Sequence, residues 1–326
     1  MKFDICLPNA MEGLLVPAPF AGANEIAEFA CMAEQLGYHG LWAFDFINPV
    51  VRPEISKHHP PDWYELMTTL AYLCGITKKI RLVAGVVLLP LREPVLLAKQ
   101  VATIDRFSGG RLDLGIGLGN RDEFNSIHPT RKGVRRGDIQ DEMLEALILL
   151  LNQSDEPVSY VGDHVRFENV SLHPKVLQDP LPMYTAAESP APLTRAAKWG
   201  LRPVIRAWQL EERKKQILTL LAEDGRSTDD ANIVVWADIS IETTTQRAVD
   251  RYLNCQMGRF RQQDGEQLRK QHWIGTVDEV ARKLIRLKRA GIEHVVAMHT
   301  ATDTYSEMVD QAAVFAEEVM PLVERA

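Results

Sequence analysis

The chain has 326 residues, 46% hydrophobic and 25% charged, which is ordinary for a globular protein with a sizeable core. Acids outnumber bases 44 to 37, giving a formal net charge of −7. Nucleic-acid binders need a concentrated basic face, so that balance excludes them and leaves room only for a local site that takes one anionic cofactor.

Short β-branched or aromatic runs alternate with longer helical patterns along the chain. "KFDICLP" reads as a first strand, with no extended apolar stretch that would mark a signal peptide. A helix from about residue 24 to 36 follows, ending at Gly37. "HGLWAF" is the second strand; a Pro/His loop over residues 48–62 leads from it to a helix around 63–73. "KIRLVAGVVL" is the third strand and "EPVLLAKQVATIDRF" its helix, with Pro94 in the first turn where a missing N–H does no harm. "RLDLGIG" is the fourth strand, with a helix over about 136–151, and "VSYVGDHVRFENVSL" alternates like a hairpin. "LPMYTAA" and "RPVIRA" are strands five and six, each with a helix, and "NIVVWADISI" reads as strand seven. A charged segment over 250–272 then reads as a mobile lid, before a helix over 276–290, strand eight "EHVVAMH" and a closing helix over 306–323. Eight such units predict a single α/β domain over residues 1–326, a (β/α)8 TIM barrel with insertions after strands two, four and seven. A doubly wound open sheet is the structural rival.

"RFSGGRLDLGIGLGN", residues 106–120, carries five glycines. Gly109 and Gly110 precede the fourth strand and close the helix before it. Gly115, Gly117 and Gly119 lie at its far end, where close approach of backbone to a flat or phosphorylated ligand is the functional reading and a bulge or barrel corner the bland one. The spacing is not G-x-G-x-x-G, so no dinucleotide fingerprint is present. The four cysteines (Cys6, Cys31, Cys74, Cys255) are scattered, and none of the nine histidines shows a metal spacing, so no metal is expected. No apolar run spans a membrane, and a cytoplasmic location is the default expectation.

The stretch "ITKKIRLVAGVVLLPLREPVLLAKQVATIDRFSGGRLDLGIGLGNRDEF" resembles the signature region of the luciferase-like monooxygenase family, which includes bacterial luciferase, FMN-dependent monooxygenases and deazaflavin-dependent oxidoreductases. "LGYHGLWAFDF", "LPMYTAAESPAPLTRAAKWG" and "IGTVDEVARKLIRLKRAGIEHVV" extend the likeness over most of the chain. The resemblance implies a (β/α)8 barrel, a non-prolyl cis peptide behind the flavin ring at Gly85–Val86, and phosphate contacts from Glu188 and Ser189. Independently, Ser189 followed by Pro190 reads as an N-cap and first helical position, a place that suits phosphate. Two positions depart from luciferase: Phe46 stands where it has a catalytic histidine, and Leu118 where it has a phosphate-binding arginine. Arg206, at the exit of strand six, is the candidate replacement.

In a barrel the loops after the strands face the chemistry. On that ground Asp45, His58 and His59 are the candidate catalytic groups and Gly117, Gly119, Asn120, Arg206 and Trp208 candidate cofactor contacts, joined by Gly85, Val86, Glu188 and Ser189, which the resemblance implies. Trp42 and Trp236 read as core, His39 and His294 as bottom-face residues, and His299 stays open as a site residue. The expected function is a monooxygenase that takes reduced FMN from a separate reductase and, with O2, oxygenates a small organic substrate, working as a homodimer or homotetramer. A deazaflavin enzyme transferring hydride is the first alternative, and a non-redox barrel holding a phosphorylated ligand the second.

Overall fold

Eight short apolar strands pair in chain order and close on themselves. They are β1 (Lys2–Cys6), β2 (Gly40–Ala43), β3 (Arg81–Leu88), β4 (Leu112–Gly117), β5 (Met183–Ala186), β6 (Arg202–Arg206), β7 (Val234–Trp236) and β8 (His294–Met298). Every neighbouring pair is parallel, and β8 returns to β1. The structure is a computed structural model and describes residues 1–11, 21–47 and 62–326. The outer ring consists of α1 (Ala23–Gln35), α2 (Leu66–Ile76), α3 (Pro94–Ser108), α4 (Arg136–Leu150), α5 (Pro190–Trp199), α6 (Leu210–Glu223), α7 (Val277–Arg289) and α8 (Tyr305–Val314). This is the expected (β/α)8 barrel, and the open-sheet rival is excluded by closure.

Parallel strands bury both faces, which is why these segments read as continuous apolar runs. One core fills the gap between strands and helices, with Ile5, Leu41, Leu82 and Leu114 facing outward onto Leu70, Leu97 and Val101. A second fills the lumen, where Cys6, Trp42, Val83, Tyr184, Val204, Val234 and Val296 meet. The caps follow sequence chemistry: Glu93 accepts from Val95 N and Leu96 N at the start of α3, and Gly109 ends that helix in the left-handed region at φ 69°.

The exit glycines of β4 have a protein reason. Pairing of β3 with β4 shifts register between Ala84 and Val87, and the Gly85–Val86 peptide in that bulge is cis. The bulge pushes β3 toward β4. A Cβ on Gly115 would stand 2.5 Å from the Ala84 carbonyl oxygen, and one on Gly117 would stand 2.5 Å from Val86 Cγ2. Their missing side chains therefore accommodate the bulge, which gives these two positions a packing reason within the protein.

Three further expectations change. "NIVVWADISI" is not one strand: β7 ends at Trp236, and Ile239–Ile241 pairs with Trp273–Gly275 outside the barrel, which turns Asp238 inward. The charged segment expected as a lid is folded into helices Thr245–Asn254, Gln256–Arg261 and Gly265–Gln271, and Tyr252 and Leu268 are fully buried among them. Trp236 is half-buried at the barrel mouth instead of lying in the core. The insertion after β4 is the expected antiparallel hairpin, Val158–Val161 with Arg166–Val170. Among the described residues no helix is long and apolar enough to cross a membrane.

Candidate active site

The C-terminal ends of the strands gather an aromatic wall around the mouth. Arg206, the last residue of β6, lies with its guanidinium 5.1 Å from the Trp208 ring and 5.0 Å from the Trp236 ring. Trp236 meets His299 edge-on at 5.6 Å, and His299 stacks on Phe44 at 5.4 Å, just past β2. Phe44 in turn meets Trp63 at 6.3 Å, and Trp63 packs on Phe46 at 4.7 Å. Phe44 and His299 directly follow β2 and β8, Trp208 lies two residues past β6 and Trp236 ends β7, where the barrel stops supplying partners and a ring can cover the lumen, while Trp63 comes from the separate short strand Asp62–Trp63.

Behind the wall lies a buried polar network centred on Asp238. Its Oδ2 accepts from Tyr252 Oη at 2.6 Å and from Arg261, and lies 3.0 Å from His272 Nδ1. Burial pushes His272 and His299 down to about 4, against a smaller raising effect from Asp238, so both rings are neutral at pH 7. Asp238 itself is held below the ordinary carboxylate range: burial opposes ionisation, but His272 and Arg261 outweigh it. His299 Nδ1 stands 3.7 Å from Asp238 Oδ1, too far for a hydrogen bond. Both ring nitrogens of His299, Asp238 Oδ1 and Trp63 Nε1 are buried and without a hydrogen-bond partner among the described residues. Unpaired buried polar atoms are costly, and their grouping at one mouth marks a place built to meet something else.

The expected site residues divide. Glu188 and Arg206 are brought together, Glu188 Oε1 accepting from Arg206 Nε at 2.7 Å, and Trp208 stands beside them. Ser189 is the N-cap residue of α5, but its hydroxyl makes no cap hydrogen bond. A cap side chain reaches the N–H of N2 or N3. Position N3 here is Pro192, which has no N–H, and Pro190 removes another donor. The exposed hydroxyl is thus left free, and the helix end offers fewer amides to an anion than expected.

Asp45 is almost fully buried with both oxygens engaged: Oδ1 accepts from Arg92 at 2.6 Å and Oδ2 from Leu88 N at 3.1 Å. Arg92 also reaches Glu65 at 2.7 Å. Burial raises the Asp45 carboxyl above its ordinary value, more than Arg92 lowers it. This geometry ties the ends of β2 and β3 together, with one hydrogen bond accepted on each Asp45 oxygen. Asn120 caps the short helix Arg121–Ile127, accepting from Asp122 N at 2.8 Å. Gly119 takes φ 67° at the same turn. His58 and His59 lie outside the described residues.

Sequence reasoning missed two features. Asp238 and His272 were hidden because both sat inside segments read as strand and lid. At the exit of β4, where Leu118 carries no charge, Arg136 arrives from the start of α4 and donates to the carbonyls of Leu118, at 3.2 Å, and Gly119. Burial and the neighbouring charge of Arg121 both lower its pKa from the arginine value, and it makes no salt bridge among the described residues. Only a signal that coupled residues 118 and 136 through space would have found it.

The 5,10-methylenetetrahydromethanopterin reductase of Methanopyrus kandleri is 24% identical over 241 residues, 70% of this chain and 65% of that protein, so under two thirds of its length is matched. An F420-dependent secondary alcohol dehydrogenase in complex with an F420-acetone adduct superposes with a TM-score of 0.78 at 17% identity, covering 99% of this chain and 98% of the other. The oxygenating constituent of 3,6-diketocamphane monooxygenase from Pseudomonas putida, in complex with FMN, superposes with a TM-score of 0.73 at 17% identity over 99% and 98% of the two chains. These two structures establish likeness of fold. The sequence model of the luciferase-like monooxygenases matches residues 1–300, and the chain belongs to that family of oxidoreductases.

Proposed function

We propose that this chain is an FMN-dependent monooxygenase that receives reduced FMN from a separate reductase and, with O2, oxygenates a small organic substrate. The observation that carries the reading is the mouth, where Phe44, Phe46, Trp63, Trp208 and Trp236 surround buried polar atoms that lack partners. Reduced flavin, when bound, supplies the activation of O2 that no side chain here provides. The aromatic faces suit a planar ring system and exclude water from it. His299, neutral through burial, presents a ring nitrogen that accepts a hydrogen bond without bringing charge into the mouth. The free Ser189 hydroxyl and the Arg206 guanidinium fit a phosphate, with Glu188 orienting Arg206 and opposing the anion at the same time. Exposed Tyr72, Leu96 and Phe107 on α2 and α3 support assembly as a homodimer or homotetramer.

A second reading, deazaflavin-dependent hydride transfer, is favoured by Phe46 and Leu118 together with the Arg121 and Arg136 charges at the β4 exit, which suit a longer anionic tail. Relatives of both kinds exist in the family. Oxygen uptake with reduced FMN, and absorbance of the ligand retained after gel filtration, separate the two. Substrate-dependent oxygen uptake with supplied reduced FMN supports the monooxygenase. A bound deazaflavin without oxygen uptake selects the second reading, and neither FMN-driven oxygen uptake nor deazaflavin binding overturns both.

A further inference from the structure

At the opposite end of the barrel three side chains distant in sequence converge in the lumen. Asp4, the third residue of β1, is fully buried, and each of its oxygens faces an imidazole. Oδ1 lies 2.9 Å from His39 Nδ1, just before β2, and Oδ2 lies 2.9 Å from His294 Nε2, the first residue of β8. The donor atoms of all three lie within 4.8 Å of one another. Trp42 Nε1 donates to Asp4 Oδ2 at 2.8 Å and fixes the carboxylate plane. Gly40 makes room for it, since a Cβ there would stand 2.7 Å from Asp4 Cγ.

His294 is the second, independent observation. It is only 5% exposed, yet neither ring nitrogen has a hydrogen bond of acceptable alignment among the described residues. Nε2 is close to Asp4 but misaligned for an N–H to reach the carboxylate, whereas a metal ion between them needs no hydrogen on that atom. His294 also lines a solvent-open cavity of about 590 Å³ at the barrel bottom, together with Lys2, Arg202, Asn232 and Glu293. That opening brings solvent to the His294 edge of the cluster.

We propose that Asp4, His39 and His294 form a binding site for a divalent first-row transition metal such as Zn2+ or Co2+. The two imidazoles are borderline nitrogen donors, and with only one hard carboxylate beside them the set suits these ions and not Ca2+ or Mg2+, which take mainly oxygen ligands. Each imidazole binds as a neutral ring, His39 through Nδ1 and His294 through Nε2, with its hydrogen on the other nitrogen. Trp42 supplies the outer hydrogen bond that orients the carboxylate. The site joins β1 to both of its neighbours, β2 and β8, at the seam where first and last strands close the barrel. Its role is structural, and it lies at the far end from the aromatic mouth.

The test uses untagged protein, stripped with a chelator and then titrated with Zn2+ by calorimetry and with Co2+ by visible absorbance. One ion per chain is expected, with the melting temperature rising until one equivalent is bound. His294→Gln and His39→Gln should each weaken Zn2+ at least about a hundredfold, beyond the loss known for outer-sphere partners. Circular dichroism of the metal-free variants reports whether they fold, and His39, whose side chain is 24% exposed, is the milder change should the other variant unfold. Absence of stoichiometric binding to the wild type, or undiminished binding by folded His39→Gln, would make the cluster a hydrogen-bonded plug and overturn the proposal.

Discussion

Replacing Ser189 by alanine isolates one hydrogen bond. In the folded chain the hydroxyl is exposed and makes no cap hydrogen bond, Pro192 having removed the N3 amide as a partner. Loss of a working N-cap costs about 0.5–2 kcal/mol, but here that penalty is absent and stability should stay within roughly 0.5 kcal/mol. If the hydroxyl donates to the FMN phosphate, the variant loses one charge-assisted bond, about 1.5–3 kcal/mol. At 1.4 kcal/mol per decade that is roughly a 10- to 140-fold weaker FMN. Riboflavin, which has no phosphate, should bind as before. Arg206→Ala should repeat this selectivity, with a small stability cost because its pair with Glu188 is half-exposed. Glu188→Gln should shift FMN the other way by removing the opposing carboxylate. Affinities come from quenching of flavin fluorescence, with melting temperatures as the folding control. Equal loss of FMN and riboflavin, or no loss of either, refutes the phosphate assignment.

Gly85→Ala would drive a methyl into the Trp42 ring, which Asp4 holds at its indole N–H, so urea unfolding should show a loss of about 1–3 kcal/mol. Gly75→Ala, in α2 with open space around it, should gain about 0.5–1 kcal/mol; matching signs would contradict the packing account. His272 and His299, depressed from 6.5 to about 4, take up protons more readily once unfolded, so the stability they secure is complete above pH 6.5 and lost as pH falls toward 4. By pH 5 the loss should reach about 2 kcal/mol for each, and a urea midpoint that does not change between pH 7 and 5 would rule this out. Asp238→Asn leaves Arg261 buried without its carboxylate, so the segment 245–271 should become sensitive to limited proteolysis while the wild type resists; equal resistance would deny Asp238 its anchoring role.

The eight strand–helix units were legible in the sequence because apolar runs, glycine stops and N-capping residues are local signals, and a barrel's parallel strands must be apolar on both faces. Gly109 as a helix terminator and the bottom-face position of His39 and His294 were readable for the same reason. What only tertiary structure decided is which distant residues meet. The glycines of β4 answer to a bulge in β3, a relation between strands that no local pattern carries. Asp238 entered the site because β7 stops at Trp236, five residues short of the strand end that the sequence suggests, and Arg136 reached the β4 exit from a helix start. Asp4, His39 and His294 show the same limit at the other end, since barrel closure alone sets the first strand beside the last. Local chemistry fixes elements, whereas side chains on different strands become neighbours only through register and closure.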